Sequence, residues 1–387
     1  MRQFVDRHGF ARSEVSLANW REQPYSRWSF QHVSEIVPSA RIRTEPANDR
    51  ALLETQPLDD RTVRLGDEDV ILREFLVSSS ADLFLMSQTS RDAIGWSNST
   101  ADPTLPHIIF SISKSVTGLL AGILSDRGEL DAGRRIADYL PCATKGAYGD
   151  CTLRDVLDMR VSLDFTEDYL DRTGAYARYR RAMGWNPPAD GLDREGLVDV
   201  VTSLKKGEAD HGGPFSYQSP NADLAALVIE SATGVPYAEL MSELLWTPLH
   251  ARSDAFITLD RYGAPRGSGG LSVHLEDMLA LGRLVIEGGA QGTRQIIPEI
   301  WLAELMRGGD RQAWQAGKFA SFLPGGSYRD FWYCGPDGAV FGVGIHGQWL
   351  YVNPASGTVI VWLASQELPQ DDSLDAKILS VLAQLSA

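Results

Sequence analysis

The sequence predicts an α/β fold: an antiparallel sheet built from both ends of the chain, flanked by helices, with a mostly helical region inserted between them. Three observations predict it. Asp82-Leu-Phe-Leu-Met-Ser87 is a short apolar run and reads as a buried strand. Near the other end, Gln348-Trp-Leu-Tyr-Val352 and Thr358-Val-Ile-Val-Trp-Leu363 flank the turn Asn353-Pro-Ala-Ser-Gly357 and read as a hairpin. Between these ends, apolar residues recur at helical spacing.

Residues 1–60, rich in Pro, Arg and Trp with little periodicity, read as an arm packed on a domain. After the strand at 82–87, residues 89–106 carry Ser, Asp, Pro and Gly and read as loop. From Ser111 the spacing of Val116, Leu119, Leu120, Ile123 and Leu124 predicts a helix, with Gly128 placed to stop it. Further helices are predicted from Thr152 through 155–158, over 221–231 and over 275–286, with Gly234 and Gly288 as stops. The polar and aromatic stretch 164–213 reads as largely irregular, and a segment that long without regular structure is more often functional than idle. Beyond residue 325 the pattern turns to strands, and Ile378, Leu379, Val381, Leu382 and Leu385 mark a closing amphipathic helix over 374–385. The resulting division is an arm over 1–60, a sheet region from 61–108 plus 290–387, and a helical region over 109–289. The active site is expected between the last two.

The chain has 387 residues, with 36 Lys and Arg against 51 Asp and Glu, a net charge of −15. Such a surface repels phosphate backbones and anionic lipid, which excludes nucleic acid and membrane as expected partners and leaves a small-molecule substrate. No run approaches the roughly 18 apolar residues of a spanning helix. The N-terminal Met-Arg-Gln-Phe-Val-Asp-Arg-His shows no apolar core of a secretory signal, so a cytoplasmic location is expected. Three cysteines form no Cys-x-x-Cys, and seven histidines form neither His-x-x-x-His nor His-Glu-x-x-His, so neither metal nor cofactor is expected.

A serine nucleophile needs a group to take its proton and donors to hold the oxyanion. The Gly-x-Ser-x-Gly elbow of α/β-hydrolases is absent. Ser111-Ile-Ser-Lys114 offers the alternative: residues three apart share a helix face, so the Ser111 hydroxyl and the Lys114 amine can meet. They fall at the start of the predicted helix, where unsatisfied N–H groups and the helix dipole favour developing negative charge. For Lys114 to act as a base, burial must lower its proton affinity by several powers of ten from the ordinary lysine pKa of about 10.4. Ser-x-x-Lys recurs at Ser203-Leu-Lys-Lys206 in a polar setting, so the tetrapeptide alone is weak.

The surroundings of Ser111 carry a resemblance. Ser125-Asp-Arg-Gly-Glu-Leu-Asp131 with Ile136-Ala-Asp-Tyr-Leu-Pro141 resembles the stretch after the nucleophile helix in the serine β-lactamase and penicillin-binding-protein superfamily, in its class C and family VIII esterase branch. Tyr217-Gln-Ser219-Pro-Asn221 resembles that superfamily's second motif, and Gly342-Val-Gly-Ile-His346-Gly-Gln348 its third, here on an expected strand. Within the superfamily the chain is similar to the 6-aminohexanoate-dimer (nylon-oligomer) hydrolases from about residue 17 onward. The similarity is carried by Trp20, Arg27-Trp-Ser-Phe30, Val37-Pro-Ser-Ala40, Asp158-Met159, Glu167-Asp-Tyr169, Gly184-Trp185 and Gly344-Ile-His-Gly-Gln348.

The resemblance implies a β-lactamase/transpeptidase-like fold and a serine hydrolase acting through an acyl-enzyme. Ser111 would be the nucleophile, Lys114 its base and Tyr217 a proton relay, with the backbone amides of Ser111 and Ile345 as oxyanion hole. Tyr169 would hydrogen-bond the leaving nitrogen, Trp185 would wall the acyl pocket, Ser219 would support Lys114, and Ser268 and His346 would border the substrate. A homodimer is a family expectation. Esters of short carboxylic acids would be the main substrates, with small linear amides of the 6-aminohexanoate-oligomer kind beside them. The sequence departs from the family in Ala175-Tyr-Ala-Arg-Tyr-Arg-Arg181, where arginines replace a wanted acid, and at Ser268, where Asn is favoured. Cations there would attract carboxylates and disfavour the linear dimer. Two alternatives remain open: a β-lactamase, D-alanyl peptidase or D-amino-acid amidase, and a non-catalytic binding or scaffold relative.

Overall fold

The computed structural model describes residues 2–45, 53–89, 91–189 and 194–387; positions 46–52 of the expected arm lie outside the described residues. Its centre is an eight-stranded sheet in the order Ser327–Arg329, Trp332–Cys334, Val340–Gly344, Gln348–Asn353, Thr358–Ala364, Ala81–Gln88, Arg91–Ser97 and Thr55–Pro57. Neighbours are antiparallel except at the edge, where Thr55–Pro57 runs parallel to Arg91–Ser97. Both chain ends thus meet in the middle, where Thr358–Ala364 pairs with Ala81–Gln88. The two central strands are buried along their whole length, which is why their sequences read as continuous apolar runs rather than as alternation.

Large aromatics set the register there. Trp349 lies opposite Trp362, Trp362 opposite Phe84, and Phe84 opposite Trp96. A one-residue slip would turn each of these rings to the other face. Helix Leu275–Ile286 packs on one face so closely that a Cβ at Gly282 would collide with Val359. Helix Asp372–Leu385, capped by the Asp371 carboxylate bonding Ser373 and Leu374 amides, closes the chain.

The helices expected at 111–128, 221–231 and 275–286 are Ile112–Asp126, Pro220–Thr233 and Leu275–Ile286. Gly128 and Gly234 adopt the left-handed conformation that ends a helix without the clash a Cβ would bring. The expectation of a loop over 89–106 is corrected: Arg91–Ser97 is a strand of the main sheet. The stretch 164–213 holds two short helices, Ala175–Ala182 and Leu197–Thr202, and is less irregular than expected. Ser39–Ile42 leaves the arm to open a four-stranded sheet with Ala255–Thr258, Leu271–Val273 and His107–Ile108. Among the described residues no single helix is long and apolar enough to cross a membrane.

Candidate active site

The chain enters helix Ile112–Asp126 under constraint. Phe110 sits at φ +42°, a conformation costly for a residue with a side chain, and is 1% exposed. Trp20 stacks on its ring, and Phe30 and Trp185 meet it edge-on. The amide of Ile108 donates to the Phe30 carbonyl and that of Ile109 to Leu271. The arm thus holds the sharp bend that leaves Ser111 half-buried at the head of helix Ile112–Asp126. That helix lies tight against the sheet: a Cβ on Gly342 would fall 2.8 Å from Ser115 Oγ, and one on Gly118 would strike the Asp330 carbonyl.

Lys114 is 1% exposed, with Nζ 2.6 Å from Ser111 Oγ and 2.9 Å from the Ser268 carbonyl. Burial pulls its proton affinity from 10.5 down to about 7; Glu167 and Asp223 work against this and Arg266 with it. Near neutrality a large share of Lys114 is therefore the free amine. Nζ donates to the Ser268 carbonyl and lies within hydrogen-bond reach of Ser111 Oγ, and in its free-amine form it has a lone pair able to take the Ser111 hydrogen.

Tyr217 brings its ring centroid to 4.8 Å from Lys114 Nζ. Burial raises its phenol well above the ordinary value, with hydrogen bonding between it and Ser111 acting the other way. It therefore stays a neutral phenol, able to donate its hydrogen, and not a tyrosinate. Tyr169 donates to Glu167 Oε1 at 2.8 Å, and the same carboxylate accepts from the Ser219 hydroxyl at 2.5 Å and from the Ser219 amide.

A cavity of about 410 Å³ opens over these groups, lined by Ser111, Tyr169, Tyr217, Val343, Gly344 and Ile345 among others. Among the described residues no backbone acceptor takes up the amide of Ser111 or of Ile345, so both donors are open to an oxyanion. A groove of about 880 Å³ continues past Tyr169 and Tyr217. Among the described residues no three His, Cys, Asp or Glu side chains are grouped to hold a metal ion.

Four residues expected at the substrate stand behind the cavity wall instead. Ser219 is 3% exposed and gives its hydroxyl to Glu167, not to Lys114. Ser268 contributes a carbonyl to Lys114, while its buried hydroxyl has no partner among the described residues. Trp185 donates to Thr258 and braces Phe110. His346 belongs to the turn after strand Val340–Gly344 rather than to the strand itself, at φ +62°. Burial lowers its proton affinity to about 4, and its Nδ1 donates to the Gln366 carbonyl at 2.7 Å. A neutral ring fixed in this way aims the turn that carries Ile345.

The arginines of 175–181 are likewise corrected. Arg178 pairs with Glu195, and Arg180 donates to the carbonyls of Tyr169 and Asp171. None of 175–181 lines the cavity; Asp372, Asp375 and Lys318 do.

Sequence reasoning gives no role to Asp223 or Glu167. Asp223 is fully buried on helix Pro220–Thr233, accepts from the Ser268 amide at 2.8 Å, and pairs with Arg266 and the Tyr179 hydroxyl. It holds the loop whose carbonyl anchors Lys114. Its signal is an acid inside the apolar run Asn221-Ala-Asp-Leu-Ala-Ala226.

A family model described as Beta-lactamase matches residues 90–384. The chain belongs to the beta-lactamase family. Within it, the chain is 34% identical to 6-aminohexanoate-dimer hydrolase from Paenarthrobacter ureafaciens over 361 residues, 92% of this chain and 90% of the relative. A Bacillus anthracis protein assigned as a 6-aminohexanoate-dimer hydrolase superposes with a TM-score of 0.85 at 23% identity, covering 97% of this chain and 98% of that one. A D-stereospecific amidohydrolase from Streptomyces sp. superposes with a TM-score of 0.57 at 16% identity, over 77% of this chain and 94% of its own. The beta-lactamase-family assignment makes the chain a hydrolase with a β-lactamase/transpeptidase-like fold, as the sequence leads one to expect.

Proposed function

We propose that this chain is a serine hydrolase that cleaves carboxylic esters and small linear amides of the 6-aminohexanoate-oligomer kind through an acyl-enzyme. Ser111 Oγ attacks the carbonyl carbon as its hydrogen passes to Lys114 Nζ. The carbonyl oxygen becomes an oxyanion facing the amides of Ser111 and Ile345. As the tetrahedral adduct collapses, Tyr217 gives its phenolic hydrogen to the leaving nitrogen or oxygen and regains one from the Lys114 ammonium. Water then repeats the sequence on the ester of Ser111 and frees the acid. The observation that carries this reading is the buried Lys114 amine 2.6 Å from Ser111 Oγ. The name of the 34%-identical relative supports the amide half of it.

A chromogenic short-chain ester should show a burst of one product per chain, with the acyl group recovered on Ser111. Ser111→Ala should abolish both burst and label. Turnover by Ser111→Ala at the parent rate would defeat the proposal.

The cavity wall also bears on substrate charge. Burial and the neighbouring Asp371 and Asp372 raise the Asp375 carboxyl to about 7, so a cation beside it would relieve the repulsion. Asp372 and Asp375 outnumber the single Lys318 among the charged lining residues, which favours substrates with an ammonium end. Asp375→Asn should lower kcat/KM for 6-aminohexanoyl p-nitroanilide about tenfold at pH 8 while changing that for hexanoyl p-nitroanilide less than twofold. Equal losses on both anilides would remove Asp375 from substrate selection.

A further inference from the structure

Glu167 is the carboxylate at the meeting point of the site's loops. It lies in the irregular segment before Tyr169, half-buried, and borders the groove that continues from the cavity. Three donors converge on it: the Ser219 amide, the Ser219 hydroxyl at 2.5 Å and the Tyr169 phenol at 2.8 Å. An ionised carboxylate only accepts, and a phenol has one hydrogen. With that hydrogen committed to Glu167, Tyr169 has only lone pairs left to present to the cavity it lines with Ser111 and Tyr217.

We propose that Glu167 is a positioning residue that fixes Tyr169 as a hydrogen-bond acceptor toward the scissile bond and thereby biases the site toward amides over esters. The nitrogen of a secondary amide carries an N–H that can donate to Tyr169 Oη. The alkyl oxygen of an ester carries none, and its lone pairs face those of the phenol. A site whose polar group finds a partner in one substrate and none in the other discriminates between them. The inference rests on the acyl-enzyme reading above.

Glu167 also acts on the base. Lys114 is faced by Glu167, Asp223 and Arg266 and by the Tyr217 ring, and Glu167 is the strongest of the charges that favour its protonated form. Loss of the Glu167 charge lowers the proton affinity of Lys114, so the acidic limb of the rate profile moves to lower pH. A residue that merely packed would leave that limb in place.

The test compares the ethyl ester and the N-ethylamide of 6-aminohexanoic acid, which share one acyl-enzyme, in the parent, Glu167→Gln, Tyr169→Phe and the double variant. A glutamine sets its NH₂ either against the phenol and the Ser219 hydroxyl or against the Ser219 amide, so at least one of the three donors loses its acceptor and the contacts that fix Tyr169 are disturbed. The amide-to-ester ratio of kcat/KM should fall at least tenfold in Glu167→Gln and in Tyr169→Phe, with no further fall in the double variant. The limb measured on the ester should move to lower pH in Glu167→Gln and stay in place in Tyr169→Phe. Thermal melting and covalent labelling of Ser111 report whether each variant is folded. A ratio within twofold of the parent's in folded Glu167→Gln, or independent losses in the double variant, overturns the inference while the acyl-enzyme reading stands. A parent that cleaves neither substrate brings down both.

Discussion

Lys114→Arg should lose at least 10³-fold in kcat/KM on any ester the parent cleaves, although it keeps a positive charge at the same position. General-base catalysis contributes about 10²–10⁴-fold, and a guanidinium, with a pKa above about 12, does not shed its proton to serve as a base. Burial brings the parent's Lys114 down to about 7, where its free amine can take a proton. For the parent, kcat/KM should therefore rise with pH through about 7 and fall about tenfold per pH unit below it. Lys114→Arg should show no such limb on its residual rate. The variant's fold is checked by its melting curve, and its nucleophile by slow labelling with a fluorophosphonate. A variant within tenfold of the parent would remove the amine from the mechanism and leave Ser111 without a base.

That a lysine can be singled out from sequence at all follows from local geometry. Ser111 and Lys114 lie on one helix, so a spacing of three residues suffices to bring them together. Tyr217 comes from another part of the chain, and only the motif Tyr217-Gln-Ser219 at the head of helix Pro220–Thr233 marks it. Side-chain direction is not legible. Ser219, Ser268, Trp185 and His346 all lie in segments that border the site, yet none of the four is among the residues lining the cavity, because whether a loop residue reaches a cavity depends on backbone angles such as the φ of +62° at His346. Glu167 is visible in the motif Glu167-Asp-Tyr169, but its three donors come from two separated segments, and nothing local announces them.

The same division holds for the fold. Leu275–Ile286 is legible from apolar residues at helical spacing, and Thr358–Ala364 because continuous burial makes its sequence plainly apolar. Arg91–Ser97 reads as loop because it lies near the sheet edge, with Ile94, Gly95 and Trp96 only half-buried, and carries no apolar run. Ala175–Ala182 escapes because its buried face is made of Tyr176, Ala177, Tyr179 and Ala182, and phenols between arginines look polar in sequence. Tertiary packing decides both elements, against weak local signals.

Lys114→Met should make the protein more stable at pH 7 while abolishing its activity. In the unfolded chain the lysine holds its proton up to about 10.5, whereas in the folded chain it gives it up near 7. The fall from 10.5 to about 7 corresponds to a burial cost of about 5 kcal/mol for the charged form. Between those two pH values the unfolded state binds more protons than the folded state, so stability rises with pH by up to about 1.4 kcal/mol per unit. Below pH 7 the full penalty applies. Methionine fills a similar volume without a charge, but it leaves the Ser268 carbonyl without its donor, a loss of about 1–3 kcal/mol. The net gain at pH 7 should be about 2 kcal/mol in urea unfolding. It should shrink as pH rises toward 9.5, because the parent gains stability over that range and the variant does not. Parallel pH dependences in the two proteins would mean that Lys114 keeps its proton in the folded state, and a site built on a free amine could not then operate at neutrality.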